Sequence, residues 1–86
     1  MNNAQEFVES VCKLLVEQPE LVIVERKVDD MGVLLTIKVG EGEYGKIIGR
    51  EGNIVKAIRT LARVIGIRNN ERIGIKVDAP KNEDAE

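Results

Sequence analysis

Ile47-Ile48-Gly49-Arg50-Glu51-Gly52 sets two glycines around two long charged residues, directly after an aliphatic pair. Glycine has no side chain, so the main chain can press closely against another surface at Gly49 and Gly52. Gly52-Asn53 reads as the start of a helix, where N–H groups without an intrahelical acceptor favour an anion. Lys46 and Arg50 add donors suited to phosphate oxygens. The chemistry such a segment supports is non-covalent: a grip on a sugar–phosphate backbone beside an oily surface. Glu51 is the discordant residue, since a carboxylate in the grip repels phosphate. Two placements relieve the conflict: pointing outward, or serving the first turn of the next helix, where acids are favoured.

A second glycine motif lies just upstream. Gly40-Glu41-Gly42-Glu43-Tyr44-Gly45 spells GxGxxG, and Gly40, Gly45 and Lys46 fit GxxxxGK. Either would be a nucleotide site in the right setting. The residues argue against both. Ile47 stands where a P-loop needs Ser or Thr for magnesium, and Glu41 and Glu43 put negative charge where phosphates would lie. The chain is also too short for either fold. These glycines are better read as a bend from strand to helix.

The net charge of −2 conceals an asymmetry. From Gly45 to Lys76 eight cations face two acids, so that segment carries +6 and the remainder −8. At physiological salt a charge is felt over about 8 Å. The local excess therefore matters more to a bound polyanion than the acidic total. Enzyme chemistry has little to work with. The chain has no histidine, and its one cysteine, Cys12, sits in a helical apolar pattern without an activating partner. No metal-ligand cluster is evident and no cofactor is called for. A lone cysteine, no basic-then-apolar leader and no apolar run near the ~20 residues of a membrane span make a cytoplasmic protein without membrane contact the expectation.

The 86 residues make one domain, expected over 3–78 with a disordered acidic tail over 79–86. Asn3 caps a first helix over Asn3–Gln18, with Glu6 completing the capping pair. Ala4, Phe7, Val8, Val11, Leu14 and Leu15 form its apolar face, and Pro19 ends it. Leu21–Val28 reads as a strand, Asp29-Asp30-Met31-Gly32 as a turn and Val33–Val39 as a second, antiparallel strand. Val33, Leu35, Ile37 and Val39 face inward, Leu34, Thr36 and Lys38 outward. Glu43–Ile48 forms a short helix. A longer helix runs from Gly52 or Asn53 to Ile65, burying Ile54, Ile58, Leu61, Ala62 and Ile65, with Gly66 as its left-handed cap. Lys56, Arg59 and Arg63 form a basic stripe on it. Solvation is the ordinary role of such a stripe, but its place beside the glycine loop favours contact with nucleic acid. Arg63, Arg68 and Arg72 can equally be solvated. Arg72–Val77 is the last strand. A strand–helix–helix–strand crossover favours a parallel pair. The fold class is therefore α+β, in the order α-β-β-α-α-β, with a mixed three-stranded sheet and helices on one face.

The order and the segment Gly45 to Arg59 resemble the KH domain in its type II arrangement, over nearly the whole chain. A single such domain filling a chain of this length is similar to the small bacterial KH proteins of the KhpA type. The signature of that module, a GxxG loop gripping four nucleotides, is met by Gly49-Arg50-Glu51-Gly52. The resemblance implies non-catalytic binding of single-stranded RNA, with post-transcriptional regulation or RNA chaperoning as its cellular use. The implied contact set is Lys46, Ile47, Ile48, Gly49, Arg50, Glu51, Gly52, Asn53, Ile54, Val55, Lys56, Ile58 and Arg59. In it Ile47 or Ile48, Ile54, Val55 and Ile58 floor a groove, with the edge of the last strand opposite. Single-stranded DNA satisfies the same clamp, because only contacts to the 2′-hydroxyl separate the two. A homodimer, or a heterodimer with another KH-containing protein, is also implied. The competing expectation is a protein-interaction or dimerisation module with little RNA affinity, to which outward-facing Leu34 would contribute.

Overall fold

The computed structural model describes residues 3–79. Helix α1 spans Ala4–Leu15, strands β1 and β2 span Ile23–Asp29 and Gly32–Lys38, helices α2 and α3 span Tyr44–Ile48 and Asn53–Arg68, and strand β3 spans Ile73–Val77. Single 3₁₀ turns occupy Pro19–Leu21 and Arg50–Gly52. β1 pairs antiparallel with β2, and β2 pairs parallel with β3, in the order β1-β2-β3. The mixed sheet and the α+β class are as the sequence suggests. β3 is consequently an edge strand.

Asn3 caps α1, its side-chain oxygen accepting the Glu6 N–H at 2.8 Å. The helix stops at Leu15, short of the expected Gln18. The reason lies across the molecule: the Glu17 and Gln18 N–H groups donate to the Glu43 carboxylate, at 2.6 and 3.1 Å, instead of to helical carbonyls. Glu43 is the one buried charged residue among those described, at 6% exposure. Leu14 is 85% exposed rather than part of the apolar face. The buried line is Ala4, Val8 and Cys12, and Leu14, two residues past Cys12, lies about 200° around the helix from it. Burial pushes the Cys12 thiol up from 9.0 to about 11, so at neutral pH it is an unreactive hydrophobe.

The core is aliphatic, with Leu35, Ile37, Ile47 and Val8 fully enclosed. Each such side chain contributes about 1.5–3 kcal/mol by leaving water. Val33, Leu35, Ile37 and Val39 are all buried, in the alternation expected of β2. β1 begins at Ile23 rather than Leu21 because Pro19 opens a 3₁₀ turn. In the hairpin, Asp29 Oδ1 accepts the Met31 N–H at 2.8 Å, and Gly32 at φ 128° starts β2 one residue early. A Cβ on Gly32 would lie 2.5 Å from the Arg72 carbonyl oxygen, the group that accepts the Val33 N–H as β3 comes alongside.

Helix α3 departs most from expectation. It runs through Gly66 to Arg68. Gly66 is a helical contact point, not a cap: a Cβ there would lie 2.4 Å from Ile73 Cγ1 and 2.7 Å from the Glu71 carbonyl oxygen. The left-handed cap is Asn70 at φ 60°. Its N–H donates to Ile67, and the Glu71 N–H donates to Gly66, which is the paired closure of a Schellman end. Leu61, expected in the buried stripe, is 51% exposed. The stripe is centred on Ile58, Ala62 and Gly66, which leaves Leu61 on one shoulder. Ala79 packs against the core. The rest of the expected acidic tail, 80–86, lies outside the described residues.

Candidate nucleic-acid interface

The loop between α2 and α3 is built by a short helix that buries one side and then is forced to stop. Tyr44 and Ile47, three residues apart, anchor α2 in the core. Tyr44 is thus a packing residue. Gly49 ends the helix at φ 77°, its N–H still bonded to the Gly45 carbonyl at 2.8 Å. A Cβ on Gly49 would lie 2.6 Å from Ile54 Cγ1, so the space its missing side chain frees is taken by Ile54 from inside the molecule. Gly52, at φ 78°, meets nothing closer than Lys56 Cε at 3.8 Å. Of the two glycines, Gly52 is the one whose bare backbone is open for close approach from outside. Glu51 lies between them at φ 56°, a left-handed conformation that costs a non-glycine residue about 1 kcal/mol. Three of the four loop residues therefore hold positive φ, which folds the main chain into a tight, exposed bend.

Glu51 serves no cap. The N-terminus of α3 has Gly52 as its N-cap, no side-chain cap hydrogen bond and no acid in its first turn. The preceding 3₁₀ turn takes up the first of these N–H groups, Asn53 donating to the Arg50 carbonyl, and the helix dipole still favours an anion at that end. Of the two placements open to Glu51, the exposed, outward one holds.

The cations divide. Arg50 and Lys56 are exposed and Arg59 half-buried, and among the described residues none of them is in an ion pair. Lys46 is different: its Nζ lies 3.7 Å from Glu43 Oε1. That carboxylate also holds the end of α1, so Lys46 reaches a phosphate only in competition with it. The aliphatic set divides as well. Ile47 and Ile58 are buried in the core, whereas Ile48, Ile54 and Val55 are half-buried and border the loop. Of the paired expectation for Ile47 or Ile48, the surface belongs to Ile48. Asn53 is exposed at the first position of α3.

Glu43 is a structural residue that sequence reasoning missed. No local signal announces it: a proline at 19 ends a helix with unpaired carbonyls rather than unpaired N–H groups. The upstream glycine motif has little room at its first position: a Cβ on Gly40 would already lie 2.8 Å from Gln18 Oε1 and 3.1 Å from Leu21 Cδ1.

Residues 5–77 match the family model described as KhpA/KhpB, KH domain. The chain belongs to the KhpA/KhpB KH-domain family. Among curated relatives it is similar to the RNA-binding protein KhpA of Clostridium perfringens, 36% identical over 85% of this chain and 97% of that one. It is likewise similar to KhpA of Listeria monocytogenes, 33% identical over 85% of this chain and 96% of the relative, and to KhpA of Chlamydia pneumoniae, 36% identical over 85% and 94%. A crystal structure of Aquifex aeolicus Era bound to GDP and aluminium tetrafluoride superposes with a TM-score of 0.56 at 24% identity. It covers 86% of this chain and 29% of Era, a likeness of fold. In this KhpA/KhpB-family chain, then, the glycine loop stands exposed between two helices, at the uncapped end of the longer one.

Proposed function

We propose that this chain binds single-stranded RNA without catalysis, gripping the phosphate backbone at Gly49-Arg50-Glu51-Gly52 and laying bases over Ile48, Ile54 and Val55. The observation that carries the proposal is the exposed bend with open Gly52 at the uncapped end of α3, flanked by unpaired Arg50 and Lys56. The relatives' name, RNA-binding protein, agrees with it. With two aromatics in the chain, one of them buried as Tyr44, base stacking contributes little. Affinity then rests on phosphate contacts and the aliphatic surface, and about micromolar, or −8 kcal/mol, is the scale expected. Its cellular setting on this reading is the cytoplasm, in post-transcriptional regulation or RNA chaperoning, and single-stranded DNA is an alternative ligand of the same clamp. The test is Arg50→Asp combined with Glu51→Asp, followed by fluorescence anisotropy on single-stranded RNA. Aspartate tolerates the left-handed position of Glu51, so the fold is kept, as circular dichroism would verify. The expected loss is about a hundredfold, from one charge-assisted contact removed at Arg50 and a negative charge put in its place. Unchanged affinity would sink the clamp.

A second activity has its own observation. Leu61 and Val64, three residues apart on α3, are 51% and 52% exposed, a patch of large aliphatic side chains on the side away from the cations. It fits a protein contact, either a second copy or another KH-containing protein. If the native chain self-associates but shows no salt-sensitive RNA affinity, this contact is the primary function.

A further inference from the structure

The basic stripe of α3 does not end at the clamp. Lys56, Arg59 and Arg63 lie at i, i+3 and i+7 on the shoulder of the helix that faces β3, the shoulder on which Gly66 touches Ile73. At its far end Arg63 opens on a cavity of about 550 Å³ between the β1–β2 turn and the start of β3. Met31 and Leu34 give it an aliphatic wall, Gly74 gives it depth, and Arg72 stands with Arg63 on its rim. Gly74 pairs with Leu34 across the parallel ladder, and a Cβ on it would sit 3.5 Å from Leu34 Cδ1, so its missing side chain is part of the space. Asp29 also lines the cavity, but its Oδ1 is held by the Met31 N–H. Two arginines against one carboxylate leave the rim net positive. Among the described residues neither arginine is in an ion pair. The volume falls within the range of small-molecule sites, which combine an apolar lining with a few charged groups.

We infer that this cavity takes a further nucleotide of the same RNA strand, its base against Met31, Leu34 and Gly74 and its phosphates on Arg63 and Arg72. The inference rests on the clamp reading and extends it. Charge complementarity and continuity argue for RNA as the occupant: the cavity lies at the end of the unpaired cationic track that begins at the loop. From Gly52 to Arg63 the helix carries that track about 16 Å, so a strand that fills both ends must be longer than one that fills the clamp.

The test compares a tetranucleotide with an octanucleotide of single-stranded RNA on the full chain, by fluorescence anisotropy across a salt titration. The native chain should bind the octamer at least about tenfold more tightly, the effect of one to two added charged contacts. The octamer also offers the clamp several registers, so two variants make the decision. Arg63→Gln with Arg72→Gln should remove most of the octamer's advantage, lower its salt slope by about 1.4 for two phosphates, and leave the tetramer untouched. Gly74→Val, which fills the cavity without changing charge, should weaken the octamer alone. An octamer advantage that survives both variants overturns the extended path while leaving the clamp standing. Absence of salt-sensitive binding by either oligomer overturns both.

Discussion

The two exposed shoulders of α3 differ in everything but the helix that carries them. The shoulder toward β3 presents Lys56, Arg59 and Arg63. The opposite shoulder presents Leu61 and Val64, whereas exposed Ile67, four residues past Arg63, lies over the end of the cationic stripe. Between them runs the buried line of Ile58, Ala62 and Gly66. At about 100° per residue, one helix of 16 residues has room for a core stripe and two unlike surfaces. A stripe of cations beside an open, uncapped helix end suits a polyanion. A stripe of aliphatics suits another protein surface, because burying it there removes apolar area from water. On the proposed reading the two surfaces meet only toward the C-terminal end of α3, which leaves room for RNA and a protein partner on one domain.

The largest way to break that separation is to move the helix itself. Gly66→Val would drive a branched side chain into Ile73 and the Glu71 carbonyl. We expect a loss of about 3 kcal/mol, read as a lower urea midpoint, with RNA binding and self-association failing in parallel. The next effect should be one-sided. Leu61→Asp puts a charge in the aliphatic stripe and should weaken self-association by about 2 kcal/mol, the worth of one buried leucine. Sedimentation equilibrium measures it, and RNA affinity per protomer should hold. The smallest effect sharpens the other side. Lys56→Gln with Arg59→Gln should reduce the salt slope of RNA binding by about 1.4, for two phosphates no longer neutralised. Self-association should be unchanged.

Much of this arrangement can be read from residue order alone, for physical reasons that also explain what cannot. The alternation of Val33, Leu35, Ile37 and Val39 marks a strand with one buried face, and burial follows it residue by residue. The glycine loop is legible because its backbone demands are local: Gly49 and Gly52 carry positive φ by their own nature. Where a local reading fails, a distant contact decides. Gly66 looks like a cap, yet Ile73 needs its empty space, and Asn70 takes over the left-handed turn. α1 looks three residues longer than it is, because the Glu43 carboxylate, far along the chain, claims the Glu17 and Gln18 N–H groups. Leu61 fits the apolar period of a buried stripe, since periodicity identifies an apolar side chain but not whether the monomer covers it. In the site, Lys46 is recognisable as a cation but not as one already paired with Glu43. The Arg63–Arg72 cavity joins residues from the hairpin, α3 and β3, and no spacing in the chain announces it.

The most direct test of the clamp is to titrate the uniformly ¹⁵N-labelled chain with single-stranded RNA and follow every backbone amide. The largest shifts are expected at Gly49, Arg50, Glu51, Gly52 and Asn53, smaller ones along Lys56 and Arg59, and none at Leu61 or Val64. Shifts confined to the aliphatic shoulder, with the glycine loop unmoved at saturating RNA, would contradict the clamp.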